Sequence, residues 1–189
     1  MRTLIDLHDR TFALAARLTD GWFLPLFARL TFFAVLYFYF LNSAFTKVGP
    51  GLLGFFSIQP GAYYQIALPA VDAAGGDPSA VAFLPWGLIV LLGTYSEFLL
   101  PLLIVLGLFT RLSALGMIGF IAVQTLVDIA VHQVDAATIG APFDRFPDSV
   151  ILDQRLLWIF PLVYLVLNGG GRISLDGLLA SRRAAAMPA

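Results

Sequence analysis

The sequence predicts an all-α membrane protein: one domain, residues 1–189, built as a bundle of four transmembrane helices. Hydrophobic residues make up 59% of the chain and charged residues only 12%, and the mean hydropathy is +0.87. An average soluble domain is about half apolar and about a quarter charged. A soluble fold of this size has too much surface to hide so many apolar side chains, so an ordinary soluble domain is excluded.

Four segments are long enough to cross the hydrocarbon core of a bilayer, which is about 30 Å thick and takes about 20 helical residues. These predicted spans cover residues 22–47, 82–108, 112–131 and 150–167. The fourth is the least apolar at its start, where Asp153 and Arg155 lie. A short turn separates the second and third spans, which predicts that they form an antiparallel hairpin.

Before the first span, residues 1–19 carry Asp6, Asp9 and Arg10, whereas a secretory signal peptide needs an uninterrupted apolar run there. Leucines recur at near-heptad spacing at Leu4, Leu7, Leu14 and Leu18. This pattern predicts an N-terminal amphipathic helix that lies in the membrane interface. A frayed terminus is the alternative.

A long outer loop, residues 48–81, joins the first and second spans. It is rich in glycine, proline and aromatic residues and is too apolar for a solvated linker. We expect it to fold as a cap against the outer membrane surface, with a short helix at 62–71. The second outer loop, residues 132–149, is more polar.

The basic residues predict the orientation of the bundle, because they are concentrated on the cytoplasmic side of membrane proteins. With four spans, the side that holds both termini carries seven of them and the other side carries three. The seven are Arg2, Arg10, Arg17, Arg111, Arg172, Arg182 and Arg183, and the three are Lys47, Arg145 and Arg155. Both termini are therefore predicted to be cytoplasmic. Arg29, near the inner end of the first span, is predicted to extend to the lipid headgroups.

The charge balance and the residue types exclude several functions. The net charge is −1, whereas a nucleic-acid-binding protein needs a basic face, so nucleic acid is not an expected partner. The chain has no cysteine, which removes disulfides, thiolate nucleophiles and cysteine-ligated iron–sulfur clusters. With only two histidines, no metal site is predicted. A redox role would need an external cofactor or a partner protein.

Glu97 lies near the middle of the second span. A charge there costs roughly 3 kcal/mol on insertion scales, so it indicates a function or a specific partner. Pro101, four residues later, cannot donate a hydrogen bond to the Glu97 carbonyl, which predicts a kink. Glu97 could be a hydrogen-bond donor, a proton carrier or an anionic partner. The alternative is a structural Glu bound to a hydroxyl group or an arginine of a neighbouring helix.

The third span ends in a polar stripe, Gln124, Asp128 and His132, spaced four residues apart on one helix face. Asp128 could orient His132, or the two could share a proton or a metal; a water-facing helix end is the alternative. Together with groups at the ends of the other spans, these residues predict a polar pocket that opens outward. Its candidate members are Lys47, Glu97, Asp128, His132, Asp153 and Arg155. Lys47 taken alone is better explained as a side chain that extends to the interface.

Three segments resemble the DoxX family of small four-helix bacterial inner-membrane proteins. They are Phe45-Thr46-Lys47, Glu97 with residues 99–116, and NGGGRISLDGLL at residues 168–179. The resemblance implies a multi-pass protein of the bacterial inner membrane, similar to the small DoxD subunit of thiosulfate:quinone oxidoreductase. It implies Lys47, Glu97 and the region of Asp153 as family-like polar positions.

Three functions follow as hypotheses. The first is a membrane subunit of a redox or stress-associated system, non-catalytic or co-catalytic, that contacts quinone; an apolar slot with a few hydrogen-bonding groups would suit that ligand. The candidate lining residues of such a slot are Tyr37, Phe38, Tyr39 and Trp158, with Glu97 or His132 as the hydrogen-bonding group. The second is a small-solute or proton-linked transporter, although an inverted repeat is missing from the sequence. The third is a membrane scaffold for a soluble or membrane partner protein. A homodimer is compatible with all three.

Overall fold

The computed structural model describes residues 2–186, and this part of the chain is all-helical. Four helices in it are long and apolar enough to cross a membrane. They are the first span, Phe23–Phe45, the second span, Phe83–Leu106, the third span, Thr110–Ala130, and the fourth span, Val150–Asn168. The predicted all-helical fold with four apolar helices is confirmed.

Shorter helices complete the chain. The N-terminal helix is Arg2–Thr19 and the C-terminal helix is Leu175–Ala186. In the described part of the chain, the loops hold one short 3₁₀ helix, Pro78–Ala80, and four short α-helices: Gly51–Gly54, Pro60–Ile66, Leu68–Ala73 and Ala136–Ile139. The prediction of a single helix at 62–71 was wrong, because two helices occupy this segment. The backbone leaves the helical conformation at Ala67 (φ −130°, ψ 36°), and the second helix begins at Leu68 with Pro69 in its first turn. Proline is favoured in a first turn, where its missing N–H has no partner to lose.

The bundle has a small central core and a wide apolar exterior. The fully buried core side chains come from all four spans: Phe32, Phe40, Ile104, Met117, Ile121, Leu162 and Leu165. Large apolar side chains also cover the outside of each span, and Leu92, Leu126 and Phe160 are among the exposed ones. An apolar exterior on all four helices is consistent with a protein whose spans face lipid tails.

At one end of the bundle, here called the terminal end, the segment before the first span and the segment after the fourth span meet the hairpin turn near Gly107. The Arg172 N–H donates to the Gly21 carbonyl, and the Asp176 N–H donates to the Gly107 carbonyl. Arg29 is buried there, and its guanidinium donates to the carbonyl oxygens of Ile104 (3.1 Å), Val105 (2.5 Å), Gly170 (3.3 Å) and Ile173 (2.5 Å). The expectation that Arg29 extends to the headgroups was therefore wrong. Ile104 and Val105 lie in the last turn of the second span, and Gly170 and Ile173 lie in the segment that follows the fourth span, so Arg29 ties both of these regions to the first span.

Asp176 fixes the same end by capping the third span from outside. Its carboxylate accepts hydrogen bonds from the Phe109 N–H (2.8 Å), the Thr110 N–H (2.8 Å) and the Thr110 hydroxyl (2.7 Å). Partial burial raises the pKa of Asp176, but these hydrogen bonds and the nearby Arg29 charge outweigh burial, so the pKa lies below its usual value. Gly107 has φ +67°, and a Cβ there would lie 2.6 Å from the Ser174 Cβ, so glycine is required at this turn.

At the opposite end, here called the loop end, the segment 48–58 folds back along the second span. Gln59 N–H donates to the Lys47 carbonyl (2.9 Å) and closes the segment. The Tyr95 hydroxyl donates to the Phe55 carbonyl at 2.8 Å. Tyr95 lies near the middle of the second span, and the Phe55 ring also packs on Phe98, with ring centroids 5.1 Å apart. The tip of this segment therefore lies well inside the length of the span, with Leu52 and Leu53 91% and 88% exposed.

Candidate functional site

A cavity of about 630 Å³ lies between the second and third spans, in the half of the bundle nearer the loop end. It extends along the third span from Gly116 to His132, and the loop helix Pro60–Ile66 closes its top through Gln65. Its walls are mostly apolar. Small-molecule sites typically enclose about 300–1,000 Å³ with apolar walls and a few polar groups, so this cavity has the size and character of a ligand site.

Lys47 and Glu97 form a buried ion pair in the wall of the cavity. The Lys47 Nζ is 2.9 Å from Glu97 Oε2 and 3.1 Å from Oε1, and the two side chains are only 3% and 7% exposed. Nζ also donates to the Ser43 hydroxyl at 2.7 Å and approaches the Ser43 carbonyl at 3.2 Å. The expectation that Lys47 extends to the interface was wrong. The ammonium group has three protons, and its bonds to the two Glu97 oxygens and the Ser43 hydroxyl use all of them.

Asp128 and Arg155 form a second ion pair, which joins the third and fourth spans. The Arg155 Nη2 donates to Asp128 Oδ2, and Nη1 donates to the Thr125 hydroxyl at 2.7 Å. Asp128 lines the cavity. The hypothesis that Asp128 orients His132 was wrong, because the carboxylate is directed to the fourth span instead.

His132 lies two residues beyond the end of the third span and lines the cavity at the loop end. Its Nε2 is 3.1 Å from the Gln65 carbonyl oxygen, an arrangement that fits the tautomer protonated at Nε2. Nδ1 is then the acceptor of the ring. His132 thus holds the loop helix over the cavity.

Asp153 has a structural role at the start of the fourth span. Its Oδ2 accepts from the Ser149 N–H at 3.0 Å, and its own N–H donates to the Ser149 hydroxyl at 3.2 Å. This reciprocal arrangement is a helix cap. Of the six predicted pocket residues, the structure brings four to the cavity, Lys47, Glu97, Asp128 and His132; Arg155 is attached through Asp128, and Asp153 lies apart.

Gln124 is a cavity residue that the predicted set of six did not include. Its Nε2 donates to the Tyr39 hydroxyl at 3.1 Å. Among residues 2–186, its buried Oε1 atom has no hydrogen-bond partner. The signal for it was its place on the polar stripe four residues before Asp128. Gln65, which reaches the cavity from the loop, carried no such signal.

The cavity exists because glycines occupy its floor. Gly93, Gly116 and Gly119 line it. A Cβ at Gly119 would meet nothing within 4 Å, whereas one at Gly116 would lie 3.1 Å from the Leu100 side chain. The aromatic side chain in the wall is Phe120, while Tyr39 and Trp158 pack on each other with ring centroids 5.3 Å apart. None of the four aromatic residues predicted to line a slot lines this cavity, and they pack on one another in two pairs instead: Tyr37 with Phe38, and Tyr39 with Trp158.

Within the described part of the chain, no cluster of three or more histidine, aspartate or glutamate side chains could hold a metal ion. No family model, curated protein or solved structure matches the chain. The resemblance to the DoxX family therefore rests on the three sequence segments alone. The four apolar helices are consistent with an integral membrane protein.

Proposed function

We propose that this protein binds a lipid-soluble quinone in the cavity between the second and third spans and acts as the membrane subunit of a redox system. The single observation that supports this function best is a mostly apolar cavity of about 630 Å³ in a lipid-facing bundle, with polar side chains placed along one side. We further propose that the protein lies in the bacterial inner membrane with both termini in the cytoplasm. We also propose that it is related to the DoxX family.

The residues of the cavity fit a quinone head group. Such a ring needs a flat apolar slot together with hydrogen-bonding groups for its two oxygen atoms. Phe120 and the glycine floor supply the slot, and Gln124, Ser96 and His132 supply the polar groups. A bound quinone would supply the electron-accepting chemistry. The chain has no cysteine for thiol redox chemistry, so we propose that a soluble or membrane partner protein delivers the electrons.

The ion pair of Lys47 and Glu97 would fix the polar side of the site. Both side chains are buried, and together they keep Ser43 and the end of the first span against the second span. Their field favours a polar head group at this depth over an acyl chain, because an apolar medium strengthens electrostatic interactions.

The test is a quinone titration of the purified protein in lipid nanodiscs, followed by tryptophan emission. We expect saturable binding to the wild-type protein and weaker binding to Glu97→Gln and Gln124→Leu. Asp153→Asn is the control, since Asp153 is polar and near a span end but lies apart from the cavity. Absence of saturable binding, together with absence of co-purified quinone by native mass spectrometry, would remove the proposal.

The second candidate is a proton-linked transporter of a small solute. The observation that favours it is the buried Glu97 in the wall of a cavity that reaches the loop end. In proteoliposomes, a transporter of this kind should lose proton-coupled flux in Glu97→Gln. Flux that persists in that variant would count against Glu97 as the proton carrier.

A further inference from the structure

We infer that the ligand of this cavity carries an apolar chain, that its polar head hydrogen-bonds Gln124, and that the chain lies over Gly119 towards Gly116. This inference rests on the proposed function, which names the cavity but not the pose of the ligand. It adds the pose: the head group lies at Gln124, and Gly119 determines whether a tail fits.

The charged groups of the cavity already have partners. Lys47 is bonded to Ser43 and Glu97, and Asp128 is bonded to Arg155. Gln124 differs from them. One polar group of its carboxamide is bonded to Tyr39, and the other is buried without a partner although the side chain lines the cavity.

A buried polar atom without a partner is unfavourable, and a ligand that supplies the missing hydrogen bond removes that cost. A turn of the side chain that exposes Oε1 to the cavity would offer an acceptor to a ligand hydroxyl, as in a reduced quinone. With the amide reversed, the matching ligand group is a carbonyl oxygen, as in the oxidised form. Gln124 can therefore recognise the head group in either redox state by rotation of its amide.

The path of the chain follows from the glycines. Gly116 and Gly119 lie on the same side of the third span, eight and five residues before Gln124. Eight helical residues correspond to about 12 Å, which gives room for an extended hydrocarbon chain below the head group. Gly119 is exposed and has open space where a side chain would be, so the groove is unobstructed there.

The cavity opens towards lipid. Ile89 and Leu92 on the second span and Val123 on the third span line it and are also exposed on the outer surface of the bundle. Apolar side chains at the rim let a hydrophobic molecule pass from the bilayer between the two spans without leaving the apolar medium. A chain-bearing ligand would enter by this route.

The test compares two probes: a benzoquinone with a long alkyl tail and the same head group without the tail. Binding is measured in nanodiscs for the wild-type protein, Gly119→Leu, Gln124→Leu and the control Ala122→Leu. Ala122 is exposed on the same helix but does not line the cavity. Partitioning of the tailed probe into lipid is the same for all variants, so affinities can be compared between them.

We expect Gly119→Leu to weaken the tailed probe by about tenfold or more, because the new side chain occupies the groove, and to leave the short probe within about twofold. Gln124→Leu should weaken both probes by roughly tenfold, since the head-group hydrogen bond is lost. Ala122→Leu should change neither.

A second measurement on the wild-type protein avoids any effect of substitution on folding. A photoreactive group at the far end of the tail should label the third span near residues 112–119. Labelling at 127–132 instead, or tailed-probe affinity that is unchanged in Gly119→Leu, would overturn the inference while the proposed function stands. If the wild-type protein binds neither probe, the proposed function itself fails.

Discussion

Replacing Lys47 with methionine should destabilise the bundle strongly, because the Glu97 carboxylate would remain buried without its cation. The pair is 3% and 7% exposed and closed by contacts of 2.9 and 3.1 Å. Removing one partner of a buried ion pair costs about 3–5 kcal/mol. This lowers the folding equilibrium constant by roughly two to three and a half orders of magnitude, because about 1.4 kcal/mol corresponds to a factor of ten.

The double variant Lys47→Met with Glu97→Gln should be more stable than the sum of the single variants predicts. It leaves two neutral side chains, and replacing a whole buried pair is often neutral in its effect on stability. We expect the double variant to recover at least about 2 kcal/mol relative to that sum, a coupling typical of residues in direct contact.

The assay is reversible unfolding in mixed detergent micelles, followed by near-UV circular dichroism for the wild-type protein, both single variants and the double variant. Thr46→Val is the control, because Thr46 is the neighbour of Lys47 in sequence and is exposed; its hydroxyl donates to the Ser43 carbonyl at 2.7 Å and accepts only a long bond, 3.5 Å, from the Gln65 amide. Additive losses in the double variant, or a Lys47→Met variant as stable as the control, would refute the buried pair.

Three further predictions concern the two ends of the bundle. Asp176 has a lowered pKa in the folded chain. Its contribution to stability is therefore complete above the usual aspartate pKa and is lost as the pH falls through the folded value. Asp176→Asn should be less stable than the wild-type protein at neutral pH and lose less stability as the pH falls, and an unchanged loss at acid pH would contradict the cap. A lysine in Arg29→Lys cannot make all four carbonyl bonds, including those to Gly170 and Ile173 on either side of the exposed Arg172. Trypsin should therefore cleave after Arg172 severalfold faster than in the wild-type protein. Equal cleavage rates would argue against Arg29 as the residue that fixes this segment. Because the chain has no cysteine, a nitroxide attached to Leu53→Cys is the only label on the protein. This nitroxide should be more accessible to oxygen than to a water-soluble nickel complex, whereas a nitroxide at Ala73→Cys should show the reverse. Greater accessibility to the nickel complex at Leu53 would place the loop tip outside the lipid.

The spans could be predicted from the sequence because hydropathy measures the property that a bilayer selects. Each predicted boundary lies within two residues of the observed helix end. The short helix after the fourth span has a similarly local signal in the sequence, since Ser174 caps it by accepting from the Gly177 N–H at 2.9 Å. Such features depend on residues that are close together in the chain.

The partners of the polar side chains could not be predicted in the same way. Lys47 and Glu97 are 50 residues apart, and Arg29 reaches carbonyl oxygens up to 144 residues away. Which side chains meet depends on the rotation of each helix about its axis, and hydropathy carries little information about rotation when all faces are apolar. Lys47 and Arg29 were therefore both expected at the interface, where an isolated cation would go, although the bundle offers each of them a buried partner.

The polar side-chain bonds between the spans clamp two pairs of helices, and one further bond, from Gln124 to the Tyr39 hydroxyl, joins the third span to the first across these pairs. At its two ends the first span is tied to the second, through Lys47 with Glu97 and through Arg29 with the last carbonyls of that span. The third span is tied to the fourth through Arg155. Among residues 2–186, no side-chain hydrogen bond joins the second span directly to the third, and their seam is where the cavity opens.

A seam between two clamped pairs is the place where helices can separate at the least cost, because apolar surfaces in lipid lose little when lipid tails replace each other. The glycines widen this seam, and the hairpin turn limits the separation at the terminal end. In the proposed quinone site, the buried ion pairs would hold the helices in position and favour a polar head group at this depth, while the neutral groups of Gln124, Ser96 and His132 would contact it.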